Sequence, residues 1–269
     1  MRRALCFTAV LATALVADGL AQSQTQGSGR FAGTWCGNGT SEGRASWREV
    51  RDATIGGANP LDIDAGRNGG IRIRGWDRGD VLVRAQITGC ADTEADARRL
   101  VSGVNIQTAG PIRADGPATN RDESWSVSFE VQVPRTALLK LNTRNGGISI
   151  DDFRGTAEFR AQNGGVSLSN VGGDIRGGTT NGGLHIDLRG DRWDGVGLDV
   201  ETHNGGIQLA MPEQYSAELE TGTTHGRVRF DFPLTVQGTI GQHISTTLGA
   251  GGAKVRAITT NGGVSIHRS

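Results

Sequence analysis

A phrase of three residues, Asn-Gly-Gly, recurs along this sequence and is its first candidate for a chemical site. The phrase begins at Asn68, Asn145, Asn163, Asn181, Asn204 and Asn261. Glycine-rich loops of this kind can cradle a phosphate, but they then need a following Lys-Ser/Thr pair and a strand-to-helix context. No copy is followed by that pair. The phrase therefore predicts a repeated structural corner.

The histidines could form a metal ladder if they recurred at one position of the repeat. His185 lies four residues after its asparagine, His203 one before and His267 six after, while His225 stands on a corner and His243 in an irregular stretch. Calcium-binding solenoids need an aspartate beside every glycine pair, and these corners carry asparagine. We therefore expect no metal site and no cofactor.

Carboxylate pairs are the remaining candidates for catalysis. A glycosidase or polysaccharide lyase on a β-helix would need two or three acids, or acids with Arg or Lys, on one outward patch. The available pairs are Asp62 with Asp64, Asp151 with Asp152, and Asp191 with Asp194. Asp151 and Asp152 follow a strand and are typical of a turn. The favoured interpretation is a non-catalytic protein, with a polysaccharide-acting enzyme as the alternative.

An insertion in the repeat is the candidate contact surface. The unit between Asn181 and Asn204 carries five extra residues within "LRGDRWDGVGL". Loops that bulge from a repeat array are natural contact sites. The predicted surface contains Arg189, Asp191, Arg192 and Trp193. For Trp193 two interpretations stay open: an exposed anchor, or a side chain that covers the core where the coil widens.

The residues around each asparagine predict the elements that position these candidates. Three and five residues after the asparagine stand Ile71/Ile73, Ile148/Ile150, Val166/Leu168, Leu184/Ile186, Ile207/Leu209, Val228/Phe230 and Val264/Ile266. The residue between them is always polar, which is typical of a strand with one buried and one wet face. Two residues before the asparagine the chain favours Thr, which suits a strand and can stack in a column.

The corner itself admits two architectures. Asn-Gly between alternating strands predicts positive φ, which fits an antiparallel meander of hairpins or a solenoid. A degenerate copy, His225-Gly226-Arg227, lies between Asn204 and Asn261. Counted from Asn145 with this copy included, the successive spacings are 18, 18, 23, 21 and 36 residues, the last being two units, and the phrase has one glycine more than a hairpin needs. We favour an all-β solenoid or β-roll with coils of about 18 residues over 135–269.

The region before the repeat is predicted to be a smaller strand-rich part. Residues 22–54 are a polar tether and lead-in, and residues 55–134 alternate as short strands with one helix over 92–104. Asp92 or Thr93 can cap that helix and Gly103 can end it. Residues 107–123 are expected to form a loop, and 125–134 a strand.

The N-terminus predicts export. Residues 1–21 have a basic start, a short apolar stretch and a small-residue cleavage site, which is typical of a signal peptide; Gln22 follows in place of a lipoprotein cysteine. Cys36 and Cys90 then remain in an oxidising compartment and are expected to form a disulfide, worth about 3–4 kcal/mol on a loop-entropy estimate. Two unpaired buried thiols are the alternative.

Composition excludes several classes of protein. The net charge is zero, which gives no electrostatic reason for binding nucleic acid. Glycine is abundant at 43 residues but has no period of three, so collagen is excluded. No segment is long and apolar enough to span a membrane.

Three longer segments carry a resemblance to a known family. They are "FEVQVPRTALLKLNTRNGGISI", "PEQYSAELETGTTHGRVRFDFPL" and "LGAGGAKVRAITTNGGVSI". With the successive Asn-Gly turns they resemble the bacterial putative-adhesin family, from about Ile55 to the C-terminus. The resemblance implies a β-solenoid or β-roll at the cell envelope without an established activity. We expect a structural, adhesive or ligand-presenting module in the periplasm or at the cell surface. Its partner would be an envelope component, glycan or protein, and its bare solenoid ends allow self-association.

Overall fold

The computed structural model describes residues 44–57, 60–231 and 241–269. The predicted signal peptide, most of the predicted tether and Cys36 lie outside these residues. Within the described ranges, no helix is long and apolar enough to cross a membrane.

The described residues form two ten-stranded sheets and one helix, α1 (Glu94–Ser102). In spatial order, the first sheet contains β1 (Ala45–Ile55), β4 (Val81–Ala91), β7 (Ser124–Pro134), β3 (Ile71–Trp76), β9 (Ile148–Asp151), β11 (Val166–Ser169), β13 (Leu184–Asp187), β15 (Ile207–Met211), β20 (Val264–Arg268) and β17 (Val228–Phe230). The second sheet contains β18 (His243–Leu248), β16 (Ala217–His225), β19 (Lys254–Asn261), β14 (Gly197–Asn204), β12 (Asp174–Asn181), β10 (Thr156–Asn163), β8 (Leu138–Asn145), β2 (Leu61–Asp64), β6 (Ile112–Asp115) and β5 (Asn105–Gln107).

Each coil consists of one strand of the second sheet, an Asn-Gly-Gly corner and one strand of the first sheet. Neighbouring coils pair in parallel, and corner asparagines are register partners: Asn145 with Asn163, Asn163 with Asn181, and Asn181 with Asn204. A meander would make antiparallel pairs here. The solenoid prediction is therefore confirmed.

The last coil in the sequence is not the last coil in space. The coil β19/β20 lies between β14/β15 and β16/β17, so that β14 and β16 both pair with β19. His225 takes the corner position of the outermost coil and pairs with Asn261. Strand β18 then runs antiparallel along β16 and ends the second sheet.

The inward side chains of both sheets form one hydrophobic core. Of the apolar pairs predicted after the asparagines, all are buried except Val228 and Phe230, which are half-buried in the outermost coil. Each fully buried Ile, Leu or Val contributes about 1.5–3 kcal/mol. The period-2 pattern after each corner therefore supplies most of the solenoid core.

The N-terminal part is continuous with the solenoid. Strands β2 and β3 form a first coil, with β2 paired to β8 and β3 paired to β9. The first sheet then continues into antiparallel β7, β4 and β1. Sequence patterns missed three strands. Strand β1 lies almost entirely in the predicted lead-in, β5 ends at the first residue of the predicted loop, and β6 lies within that loop.

The helix forms as the sequence predicts. Thr93 is the N-cap, and its hydroxyl accepts a hydrogen bond from the Asp96 N–H at 3.1 Å. Gly103 follows the helix, and its N–H donates to the Arg99 carbonyl at 3.1 Å. Leu100 and Val101 are buried, and the helix packs against β1 and β4.

Candidate functional site: a groove along the first sheet

Most of the described Asn-Gly-Gly corners do not use the positive-φ conformation that the sequence predicts; the exception is the corner at Asn261, where Gly262 has a φ of 150°. Among the described non-glycine residues, positive φ occurs at Asp152 (56°) and Asn170 (51°). Both lie after a first-sheet strand, at the corner opposite the Asn-Gly-Gly phrase. The prediction that each phrase makes a positive-φ turn is wrong, and the glycines need another explanation.

The first glycine of each phrase allows the coils to approach closely. A Cβ atom on Gly146 would lie 2.0 Å from the Gly69 carbonyl oxygen, and one on Gly164 would lie 2.1 Å from that of Gly146. The corresponding distance for Gly182 to the Gly164 oxygen is 2.2 Å. Real Cβ atoms do not approach backbone this closely, so glycine is required by stacking.

The asparagines form a ladder of amide hydrogen bonds. Each side-chain Nδ2 donates to the Oδ1 of the preceding coil: Asn163 to Asn145 and Asn181 to Asn163 at 2.8 Å, and Asn261 to Asn204 at 2.9 Å. Stacked amides of this kind stabilise in-register parallel strands. The repeated asparagine is therefore structural.

A second column of side chains binds the same corner. The Thr179 and Thr202 hydroxyls each donate to the carbonyl of the first glycine in the neighbouring coil, at 2.7 Å. Thr143, Thr223 and Thr259 do the same at 2.6–2.8 Å. Ala161 occupies this position in one coil and has no hydroxyl. The predicted Thr column is thus a set of coil-to-coil hydrogen bonds.

The second glycine of each phrase has a different environment. A Cβ atom on Gly165 or Gly183 would lie 3.2 Å from the nearest backbone oxygen, and one on Gly206 would lie 3.3 Å away. That is tight but tolerable, and the outermost coil carries Arg227 at this position. Stacking alone therefore does not demand the second glycine.

These second glycines line an open groove of about 1240 Å³ on the outer face of the first sheet. The glycine column is Gly70, Gly147, Gly165, Gly183, Gly206 and Gly263. Because glycine has no side chain, the outer face of the first sheet has a depression along this column. The polar residue two positions later in each coil forms the adjoining wall.

That polar wall is a register-aligned column that crosses seven strands. Its members are Arg72, Ser149, Ser167, His185, Gln208, Ser265 and Arg229. The column runs perpendicular to the strands, with one side chain every ~4.8 Å. His185 Nδ1 lies 3.3 Å from Gln208 Oε1. Hydroxyl, imidazole and amide groups thus follow one another along a line.

The groove is positively charged at both ends. Arg48 and Arg72 lie at one end, with Gln86, Thr88, Ser126 and Ser128 beside them, and Arg227 and Arg229 lie at the other. No lining residue of the groove is an aspartate or a glutamate.

The acids closest to the groove in the sequence do not line it, but one contacts its polar wall: the Ser149 hydroxyl donates a hydrogen bond to the Asp151 carboxylate at 3.2 Å. Asp151 and Asp187 each follow a groove residue by two positions, and Asp187 pairs with Arg189 at 2.6 Å. Within the described residues, Arg48, Arg227 and Arg229 form no ion pair with a carboxylate.

The outer face of the second sheet has the opposite character. Its charged side chains neutralise one another: Arg176 lies 2.8 Å from Asp174, Arg160 lies 3.1 Å from Glu158, and Arg256 lies 2.6 Å from Asp199. Within the described residues the second sheet also has an exposed arginine without an ion pair, Arg144 of β8, but the first-sheet groove gathers three, Arg48, Arg227 and Arg229.

The acid pairs considered for catalysis are not brought together. Asp62 and Asp64 lie on β2 of the second sheet, and Asp62 pairs with Lys140 at 3.8 Å. Asp151 ends β9 in the first sheet. Asp191 and Asp194 lie in the insertion, where the Asp194 carbonyl accepts a hydrogen bond from the Gly173 N–H.

The insertion does not present Trp193 as an anchor. Trp193 is 4% exposed, belongs to the core and donates from Nε1 to the Gly173 carbonyl at 3.0 Å. The coil widens here, and the indole fills the added space, which is the second of the two interpretations above. Arg189, Asp191 and Arg192 are exposed but do not line the groove.

The described residues contain no group of three or more His, Cys, Asp or Glu side chains that could hold a metal ion. Cys90 is buried at the end of β4. Its expected partner Cys36 lies outside the described residues, so the disulfide stays a prediction.

Sequence reasoning missed the groove although its signal was present. The polar residue between each apolar pair was identified as wet, but the second glycine was assigned only to the corner. The replacement of that glycine by Arg227 in the outermost copy was the available clue.

Comparison with known proteins agrees with this architecture. The family model described as Toastrack DUF4097 matches residues 96–267. The chain therefore belongs to the Toastrack DUF4097 family, whose β-solenoid-like fold is the one observed. A search of the curated proteins finds no match.

Several solved structures are distantly similar. A putative cell adhesion protein from Clostridium sporogenes is 13% identical, covers 84% of this chain and 100% of its own, and has a TM-score of 0.42. A putative adhesin from Bacteroides fragilis is 12% identical, covers 82% and 97%, and has a TM-score of 0.34. A putative lipid binding protein from Parabacteroides distasonis is 10% identical, covers 82% and 96%, and has a TM-score of 0.26.

Proposed function

We propose that this protein is an exported, non-catalytic module of the bacterial cell envelope that holds an envelope ligand in the first-sheet groove. The observation that carries the proposal is the groove itself: a continuous trough of about 1240 Å³, lined by a glycine column and a column of polar side chains, with arginines at its ends and no lining carboxylate. Binding clefts of this size accept a segment of a larger ligand.

A binding role is supported by the rigidity of the site. Every member of the polar wall lies on a strand, and the neighbouring strands are held in register on both sides. A preformed surface loses little conformational entropy when it binds a ligand. The groove is also separate from the insertion, because Arg189, Asp191, Arg192 and Trp193 do not line it. The proposed contact surface is therefore the first sheet.

The chemistry of the groove favours binding over glycan cleavage. Acid-catalysed glycoside hydrolysis uses two carboxyl groups on either side of the bond, and the groove lining supplies none. The enzyme alternative then requires acids that lie outside the groove, such as Asp62 and Asp64 on β2 of the second sheet.

Export can be tested by fractionating cells that express the full chain. We expect the protein in the periplasm or at the cell surface, with a mature N-terminus at Gln22 by mass spectrometry. Retention in the cytoplasm with residues 1–21 intact would contradict this part of the proposal.

Binding can be tested with purified envelope polysaccharide and the mature protein. We expect sedimentation of the protein with the polysaccharide and no release of new reducing or unsaturated ends. A groove-blocking variant, Ser167→Trp, should lose the binding, whereas Arg160→Gln on the second sheet should keep it. Equal binding by both variants would show that the groove is not the binding face.

A further inference from the structure

We infer that the groove recognises a linear acidic polysaccharide in which carboxylates occur intermittently along the chain. This inference rests on the proposed function and specifies its ligand. It is argued from the shape of the groove, the functional groups along it and the distribution of charge.

The shape of the groove requires a linear ligand. From Arg72 to Arg229 the polar wall crosses six inter-strand spacings, about 29 Å. It is one side chain wide, because the glycine column lies on one side of it. A ligand must therefore extend along the solenoid axis.

The functional groups of the wall match sugar hydroxyls. Serine and glutamine side chains both donate and accept hydrogen bonds, as hydroxyl groups also do. Ser149, Ser167, Gln208 and Ser265 recur once per coil, and the repeat of a sugar ring along a polysaccharide is close to the inter-strand spacing. One ring per coil would place each ring against one wall residue.

The apolar side chains of the same strands are turned away from the groove. The residues on either side of each wall position, such as Ile148 and Ile150 around Ser149, are buried in the core except Val228 and Phe230 in the outermost coil. The apolar residues that line the groove, such as Ile148 and Val166, are 1–2% exposed and so offer little side-chain surface to an acyl chain, which disfavours a lipid tail as the occupant.

The charge distribution distinguishes an acidic polysaccharide from other polyanions. Arg227 and Arg229 are exposed at one end, and Arg48 is exposed at the other. Between the ends the wall contains serine, glutamine and one histidine. A polymer with a phosphate on every unit would need cations along the whole length, whereas intermittent carboxylates can pair with guanidinium groups at the ends.

The test uses titration calorimetry with hyaluronan oligosaccharides, which carry a carboxylate on every second ring. We expect affinity to rise with length until about six rings fill the groove, and then to level off. Chito-oligosaccharides of equal length, which are neutral, should bind at least about tenfold more weakly. Raising the salt concentration should weaken the acidic ligand selectively.

Matched variants assign the binding to the groove. The double variant Arg227→Gln/Arg229→Gln should weaken hyaluronan binding by about tenfold or more. The control Arg160→Gln/Arg176→Gln removes two arginines from the second sheet and should bind like the parent. Thermal unfolding of each variant checks that a loss of binding is not a loss of folding, and Ser167→Trp blocks the groove without changing its charge.

Four outcomes would overturn the inference: affinity that does not depend on length, equal binding of the neutral oligosaccharide, tighter binding of polyphosphate, or tighter binding to anionic phospholipid vesicles that the arginine variants abolish. The proposed function fails separately. If Ser167→Trp abolishes binding to envelope polysaccharide but no hyaluronan oligosaccharide binds, the groove remains the binding face and only the acidic class is wrong.

Discussion

At the scale of single residues, the two glycines of each Asn-Gly-Gly phrase have different structural roles. The first lies against a backbone oxygen of the neighbouring coil, whereas the second lies on the outer surface and leaves the groove open. The asparagine and the threonine two residues before it bind the neighbouring coil by hydrogen bonds. In each coil, these few residues therefore allow close stacking, form hydrogen bonds to the neighbouring coil and shape the groove.

The contrast between the glycines gives a paired prediction. Gly164→Ala would place a Cβ atom 2.1 Å from the Gly146 oxygen, and we expect it to lower the free energy of unfolding by about 1–3 kcal/mol or more, because a packed coil must move. Gly165→Ala, at 3.2 Å from the Gly183 oxygen, should cost clearly less. Denaturant unfolding of both variants makes the comparison, and equal losses would contradict it.

The gap in the threonine column gives a stabilising prediction. Ala161→Thr places a hydroxyl where its equivalents donate to a glycine carbonyl, in this coil that of Gly146. We expect a gain of about 0.5–1.5 kcal/mol in the free energy of unfolding. Ala161→Val has the same shape without the hydroxyl and is the control. If the two variants have the same stability, the predicted hydrogen bond does not form.

At the scale of elements, β19 is held between two strands that are far from it in the sequence. On the outer face, Glu220 of β16 lies 2.5 Å from Lys254 and 3.4 Å from Arg256, while Arg256 lies 2.6 Å from Asp199 of β14. These ion pairs cross all three strands. They hold the displaced coil in register, in addition to the backbone ladder.

This cluster predicts a pH dependence of stability. The hydrogen bond from Lys254, with its charge and that of Arg256, lowers the pKa of Glu220 below the ordinary value of 4.5. The carboxylate therefore stabilises the folded state above pH 4.5, and this contribution is lost as the pH falls through the lowered pKa.

Glu220→Gln should accordingly cost stability at pH 7 and progressively less in acid. The group is one-third exposed, so we expect a difference below about 1 kcal/mol at pH 7. Glu158→Gln, whose partner Arg160 lies on the same strand, is the control and should change little. A Glu220→Gln deficit that grows as the pH falls would contradict the assignment.

The strands also show which features of the fold local sequence patterns can predict. The alternation after each asparagine predicts the first-sheet strands because their inner face is buried and their outer face is wet. Strand β1 was missed because charged residues interrupt its apolar pattern: Glu49 and Arg51, both on β1, form an ion pair at 2.7 Å, and Arg51 also donates to the Val101 carbonyl at 3.0 Å. The wall residues are distant in the sequence and become neighbours only when the coils pair in parallel. A local sequence pattern therefore cannot predict the position of the groove.

At the scale of the whole molecule, the order of coils is the feature that the sequence does not contain. In the sequence, the coil β16/β17 comes before the coil β19/β20. In the structure, β19/β20 lies between β14/β15 and β16/β17. The outermost coil supplies Arg227 and Arg229, so one end of the groove depends on a coil whose strands, within the described residues, join the stack through β19 and β20.

Removal of residues 254–269 should therefore damage more than one coil. It would leave β14/β15 and β16/β17 without their shared neighbour, and we expect loss of cooperative unfolding in the distal coils together with loss of ligand binding. Removal of Arg268 and Ser269 alone keeps the core pair Val264 and Ile266 and serves as the control. Native binding by the longer truncation would show that the distal coils stack without the C-terminal one.

The displaced coil also sets the order in which the stack can assemble. Strand β17 pairs, within the described chain, with β20 alone, and β20 follows β17 in the sequence, so a ribosome makes it later. The two basic ends of the groove therefore cannot face one ligand until β20 has been synthesised and has paired. Until then the outermost coil lacks its neighbour in the first sheet.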